Sequence, residues 1–314
     1  FGPFAWFTSS GTATLFLLIP SSLAAVPFLL ASEAYKSIGF AILAVWIMNL
    51  LTPNNEWPVC RRIFQLWYPT FDFKDNFKDV EDVFHSLQPP STGRRYILAL
   101  YPHGVVPMHA FLWCAYCDQI MKTKDGEPLY GKGAMASVLF YIPILRQLMG
   151  WLSGCHADYK TLKEVLKDQN LFIIPDGIAG IYYAAPGIDV AVVKKRRGIV
   201  KLALETGATL CPVYGFGCNY FFNQSCNPNS WMGKLSRKMR VSLTFFWGRW
   251  GLPIPYPTKV AFGFARHIEI PKPEPNPTPE RIEEVHKLFV DSLQETFDRY
   301  KGPAGYPDAE LLLA

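Results

Sequence analysis

The sequence predicts an α/β fold, a largely parallel sheet with flanking helices, preceded by an N-terminal membrane-embedded helical hairpin. Three observations predict it. From residue 96 onward, short fully apolar runs alternate with segments of helical periodicity, the pattern of parallel strands buried on both faces. The first 52 of the 314 residues hold only Glu33 and Lys36, leaving 30 of the 31 bases and 25 of the 26 acids to the other 262. The composition, 50% hydrophobic, 15% aromatic and 18% charged, excludes a disordered, collagenous or coiled-coil chain. The domains are drawn as a membrane-embedded anchor over 1–56 and a catalytic domain over 57–314.

In order along the chain, residues 13–31 are uncharged and as a helix would span about 28 Å, one hydrocarbon core, with Pro20 and Pro27 as interruptions. Residues 38–51 form a second uncharged run, short of a full crossing. A hairpin or re-entrant pair accounts for both, with a buried hairpin of a soluble core as the alternative. Arg61 and Arg62 directly after it place that side in the cytosol. A loop of aromatics and acids follows around 71–81. Tyr96 to Tyr101 (YILALY) reads as a buried strand, and residues 107–119 as the helix after it. Residues 159–168 have helical apolar spacing, 171–174 a strand ending at Pro175-Asp176-Gly177, 198–206 a helix stopped by Gly207, and 209–214 a strand. Residues 260–265 add a late strand. The last helix is capped by Thr278, opens at Pro279 and keeps one apolar face from Ile282 to Tyr300.

Chemistry is expected beyond the carboxyl ends of the strands, where ligands gather in open α/β sheets. After YILALY comes Pro102-His103-Gly104, a histidine at a strand-to-helix turn. A neutral imidazole there can take a proton from a hydroxyl, and unpaired N–H groups at the helix start can hold an oxyanion; the same position also suits a histidine that merely ties the turn. Asp176-Gly177, with Gly180 and Gly187 near, is a glycine turn that admits a ligand or simply bends sharply. Lys194, Lys195, Arg196 and Arg197 precede Gly198 at a helix start, where four cations oppose the macrodipole. An anionic ligand would relieve that, and a solvated charge run is the alternative.

Other chemistries are disfavoured. No G-x-S-x-G, Walker loop or G-x-G-x-x-G occurs. The seven cysteines are odd in number and scattered, which argues against disulfides and for a cytosol-facing domain, and Cys114 and Cys117 form a lone pair without zinc-site spacing. Cys155 and His156 are adjacent, so on a strand they point apart. A net charge of +5 fits an anionic membrane surface or a phosphorylated substrate and does not indicate nucleic acid. Trp231, Lys234, Arg237, Lys238, Arg240, Phe245, Phe246, Trp247, Arg249 and Trp250 interleave bases with aromatics, as a membrane-interface segment or an aromatic core edge does.

YPHGVVP at 101–107, RRGIVKLALETGATLCPVYGFG at 196–217, PTPERIEEVHKLF at 277–289 and GYPDAE at 305–310 together resemble the diacylglycerol acyltransferase type 2 family of the glycerolipid acyltransferases. The resemblance covers most of the chain. It implies an enzyme of the endoplasmic reticulum membrane, its catalytic domain facing the cytosol and its reach extending to the lipid droplet surface. It also implies transfer of a fatty acyl group from acyl-CoA to the free hydroxyl of diacylglycerol, with no metal or cofactor beyond the acyl-CoA substrate. Monoacylglycerol or a fatty alcohol as acceptor, and a silent lipid-binding relative, are the alternatives. His103 inherits the role of general base, Gly104 contributes to the oxyanion site, and Lys194 to Gly198 meet the CoA phosphates. An acyl-cysteine route through Cys155 is the mechanistic rival. Departures fall at Tyr101, where the family often has a first histidine before Pro102, and at Met108, where the wider superfamily has an aspartate. Relatives also differ at Gly180, where they commonly place a glutamate, and at Cys218. The orienting carboxylate is thus open, with Asp176-Gly177 a candidate if the strand ends converge.

Overall fold

A computed structural model of the chain describes residues 13–14, 18–19, 21–22, 24–67, 71, 84–88, 90–225, 227–239, 242, 244–264 and 266–314. Apart from Phe71, the loop expected over 71–81 lies outside them, as do Pro20 and Arg240. Helices α1 (Lys36–Leu51) and α2 (Pro58–Ile63) precede the sheet. Strand β1 (Tyr96–Tyr101), α3 (Met108–Ile120), β2 (Lys132–Met135), α4 (Leu145–Trp151), β3 (Gly154–His156), α5 (Tyr159–Asp168) and β4 (Leu171–Ile173) follow. The second half runs α6 (Gly177–Tyr183), β5 (Asp189–Ala191), α7 (Gly198–Thr206), β6 (Thr209–Phe216), β7 (Asn223–Gln224), α8 (Trp231–Met239), β8 (Phe246–Trp247), β9 (Ala261–Phe264), α9 (Pro279–Tyr300) and β10 (Leu311–Leu313).

Six strands form the main sheet in the order β3-β2-β4-β1-β6-β9. All neighbours are parallel except β6 and β9, so the mixed α/β expectation holds with one antiparallel edge. The central position of β1 explains its composition. All six of its residues are buried, and alternate side chains enter opposite cores. Leu98 and Leu100 join Trp113 of α3 with Phe262 and Phe264 of β9. Ile97, Ala99 and Tyr101 join Leu202 and Ala203 of α7 with Phe289, Leu293 and Phe297 of α9. Helix α9 starts as expected: the Thr278 hydroxyl accepts from the Arg281 N–H at 3.2 Å. Strand β6 runs two residues past its expected end, and β10 pairs parallel with β5, which the sequence left unread.

The N-terminal region is described only in part. Residues 24–31 are helical, and Leu30 packs against Gly39 of α1 so closely that a Cβ on the glycine would sit 2.9 Å from Leu30 Cδ2. No helix among the described residues is long and apolar enough to cross a membrane. Helix α1 nonetheless has no polar face, and Val45, Met48 and Leu51 are 51, 65 and 79% exposed. Its exit is fixed to α4: Arg146 Nη1 donates to the carbonyls of Asn49 at 3.1 Å and Thr52 at 2.9 Å, and the Ile144 N–H donates to Asn49 Oδ1. One of the two expected cytosolic arginines is used inside. Arg61 is buried, with its guanidinium 4.1 Å over the Tyr130 ring, because α2 packs its second turn inward.

Candidate active site

Strands β4, β1 and β6 are parallel neighbours, so their carboxyl ends share one rim and the residues after them converge. His103 stands there, half-buried, one residue beyond the Pro102 that ends the strand. Its ring Nδ1 lies 2.9 Å from the Gly104 carbonyl oxygen. A carbonyl can only accept, so the proton resides on Nδ1 and Nε2 keeps its lone pair. Burial pulls the imidazole pKa below its ordinary value, against the opposing pull of that carbonyl. The ring is therefore neutral at pH 7, and among the described residues its acceptor nitrogen Nε2 has no hydrogen-bond partner.

Gly104 makes this turn feasible. Its φ is +68°, and a Cβ would stand 2.8 Å from the Cys218 carbonyl oxygen, so a side chain is excluded by strain and by space. The following residues leave donors unused. Among the described residues, the backbone N–H groups of Gly104, Val105 and Val106 make no hydrogen bond, although all three residues are buried. Buried donors without partners await an acceptor, and their place just ahead of α3 suits developing negative charge.

Asp176 does converge on His103, but it holds the backbone rather than the ring. Its Oδ2 accepts from the His103 N–H at 2.9 Å and its Oδ1 from the Val192 N–H at 2.7 Å. The carboxylate thus clamps the end of β1 to the segment after β5. Burial lifts its pKa to about 7, opposed by those two N–H groups and by Arg196. The carboxylate left open in the sequence is thus not supplied to the ring by Asp176, which meets the His103 backbone N–H, while the imidazole's own partner is the Gly104 carbonyl. Gly180 is packed into this clamp. A Cβ there would lie 2.4 Å from the Asp176 Cβ and 3.0 Å from the His103 Cβ, so a side chain at this position has no room in this arrangement.

Tyr101 and the basic run are redistributed. The Tyr101 ring faces Phe289 of α9, centroids 6.1 Å apart, and among the described residues its buried hydroxyl has no hydrogen-bond partner, so it does not orient His103. Pro102 is buried, its carbonyl 3.7 Å from Cys218 Sγ, and Gly177 opens α6 with a φ of +54°. Arg196 turns inward and donates from Nη2 to the Asp176 carbonyl at 2.9 Å. Arg197 forms a two-pronged pair with Glu283 at 2.8 and 3.0 Å. Lys194 and Lys195 are exposed beside Gly198, the first residue of α7. The run is therefore divided in use: Arg196 is turned to Asp176 and Arg197 to Glu283, while Lys194 and Lys195 face solvent.

Cys155 is distant from this rim. It lies on edge strand β3, three strands from β1, and burial pushes its thiol up to about 11. A protonated thiol is a poor nucleophile, and the neighbouring His156 stacks on Phe140 at 4.3 Å. Among the described residues no three His, Cys, Asp or Glu side chains group as a metal set. One group beside the rim escaped the sequence reading altogether. His109, in the first turn of α3, is fully buried next to His103, and only the direction of its side chain, which spacing does not give, marks it out.

The sequence profile described as diacylglycerol acyltransferase matches residues 74–314, which includes all of this rim. The chain is 30% identical over 250 residues to the diacylglycerol O-acyltransferase 2-like protein 6 of Bos taurus, covering 73% of this chain and 72% of the relative. It is 30% identical over 251 residues to diacylglycerol O-acyltransferase 2 of Dictyostelium discoideum, covering 73% and 72%. It is 30% identical over 241 residues to 2-acylglycerol O-acyltransferase 3 of Homo sapiens, covering 71% and 69%. With a profile match over more than half its length, and relatives of this identity across more than two thirds of it, the chain belongs to the diacylglycerol acyltransferase family.

Proposed function

We propose that the chain transfers a fatty acyl group from acyl-CoA to the free hydroxyl of diacylglycerol, giving triacylglycerol and CoA, with His103 as general base. The observation that carries this is the free Nε2 of a neutral His103 beside three unpaired backbone donors. As the acceptor oxygen bonds to the thioester carbon, its proton passes to Nε2. The carbonyl oxygen takes the electron pair and is held by the N–H groups of Gly104, Val105 and Val106. When the C–S bond breaks, the CoA sulfur recovers the proton from His103. Lys194 and Lys195 are the basic residues of the 194–197 run left exposed to meet CoA phosphates, while Arg196 and Arg197 brace the site.

The apolar surface supports a membrane setting. Helix α1 is the embedded part of the anchor, at the cytosolic face of the endoplasmic reticulum or a droplet surface, where water-insoluble acceptors reside. On α8, Trp231, Leu235 and Met239 lie four residues apart and are exposed, with Lys234 and Lys238 beside them and the exposed Phe245 and Trp250 after. That is the make-up of an interfacial helix.

A general base contributes roughly 10² to 10⁴ in rate. His103→Ala is therefore expected to lose that much kcat in assays with labelled acyl-CoA, with its melting temperature kept. Near-normal turnover by a folded variant would sink the assignment. A second reading, 2-acylglycerol as acceptor, is favoured by the human relative's name, and the same assay with mono- and diacylglycerol decides it by which neutral lipid appears.

A further inference from the structure

The transfer chemistry leaves one polar group beside the site unused. His109, at the second position of α3, has no solvent exposure, and among the described residues neither ring nitrogen has a hydrogen-bond partner. The Pro102 carbonyl lies beside the ring without hydrogen-bonding geometry, and His103 is close enough to couple to it electrostatically. The site is built for an imidazole. The ring rests on Gly215 of β6, where a Cβ would stand 2.9 Å from His109 Cδ2, and its centroid is 6.4 Å from that of Phe262 on β9.

A neutral imidazole carries one N–H donor and one lone-pair acceptor, and each left unpaired in a core is destabilising. A leucine or methionine would fill the place without that penalty. Burial, and after it the proximity of the His103 imidazole, push the ring pKa down to about 3, so the group is neutral at working pH and offers an N–H without charge. The species that the reaction brings to this rim is the lipid acceptor. Its free hydroxyl is taken by His103, and in a 1,2-diacylglycerol the neighbouring carbon bears an ester whose carbonyl oxygen accepts only.

Resting on the acyl-transfer reading, we propose that His109 donates its ring N–H to the ester carbonyl adjacent to the reacting hydroxyl. It is thereby a specificity-determining residue that selects ester-linked glycerolipid acceptors.

The test compares 1,2-diacylglycerol with its dialkyl ether analogue, which keeps the hydroxyl and the bulk but lacks the carbonyl. The wild type is expected to favour the ester by about tenfold in kcat/KM, the size of one hydrogen bond. In His109→Leu that preference disappears, and His109→Gln, which keeps an N–H, recovers part of it. Melting temperatures accompany both variants. Equal losses on the two acceptors make His109 a packing residue, and no loss on either makes its partner a trapped water; both results overturn the inference. Should His109→Leu fail to fold, the wild type still decides, since equal use of ester and ether overturns the inference. A wild type that acylates neither acceptor overturns the acyl-transfer reading, and this inference with it.

Discussion

At the residue scale, the base depends on which nitrogen of one ring carries the proton. The Gly104 carbonyl fixes it on Nδ1, and burial keeps the imidazole neutral. Protonation of Nε2 removes the lone pair that, in the proposed mechanism, takes the acceptor's proton. Activity is therefore expected to rise with pH through an inflection below the ordinary histidine value of 6.5 and to level off above it. The measurement is kcat/KM against pH with a detergent-dispersed acceptor. An inflection near 7 would report the Asp176 carboxyl instead and remove His103 from control of the acid limb. The place of His103 after YILALY is legible from the residues themselves, since a strand buried on both faces must end in a turn at the rim. The grip of Asp176 on the His103 N–H, 73 positions away in the chain, is not.

At the scale of elements, two junctions decide how the site is mounted. Asp176 ties the end of β1 to the segment after β5, and Arg146 ties the end of α1 to α4. A cation on the last carbonyls of a helix both satisfies them and opposes the negative end of the dipole. Arg146→Ala is expected to cost about 1 kcal/mol of stability. It should also speed proteolysis within residues 52–56, read by limited digestion and mass spectrometry of the fragments. Unchanged cleavage there would show that α1 is held by other contacts, such as the Trp57 and Trp151 rings 5.1 Å apart. Helices α5, α7 and α9 were readable because their caps and apolar faces are local features. Helix α6 was not, since GIAGIYY lacks a polar face and a side-chain cap.

At the scale of the whole molecule, the exposed surface of α1 is as apolar as a protein core, which water disfavours over so many side chains. Replacing Val45, Met48 and Leu51 by Asp is expected to release the protein from phosphatidylcholine–phosphatidylserine vesicles in flotation, while micellar acceptor is still acylated. Full flotation of that variant would transfer the anchoring role to α8 and the Trp250 loop. Near neighbours in the chain suffice to set the buried runs of β1, β4 and β6, the capped helix α9, the uncharged N-terminal stretch and the histidine at a strand end. Long-range packing is what makes Asp176 clamp backbone, turns Arg61 and Arg196 inward, and buries His109 against Gly215. The reason is physical. Periodicity and capping act over a few residues, whereas the direction of a side chain and the strand it meets follow from the order β4-β1-β6, which the whole chain sets together.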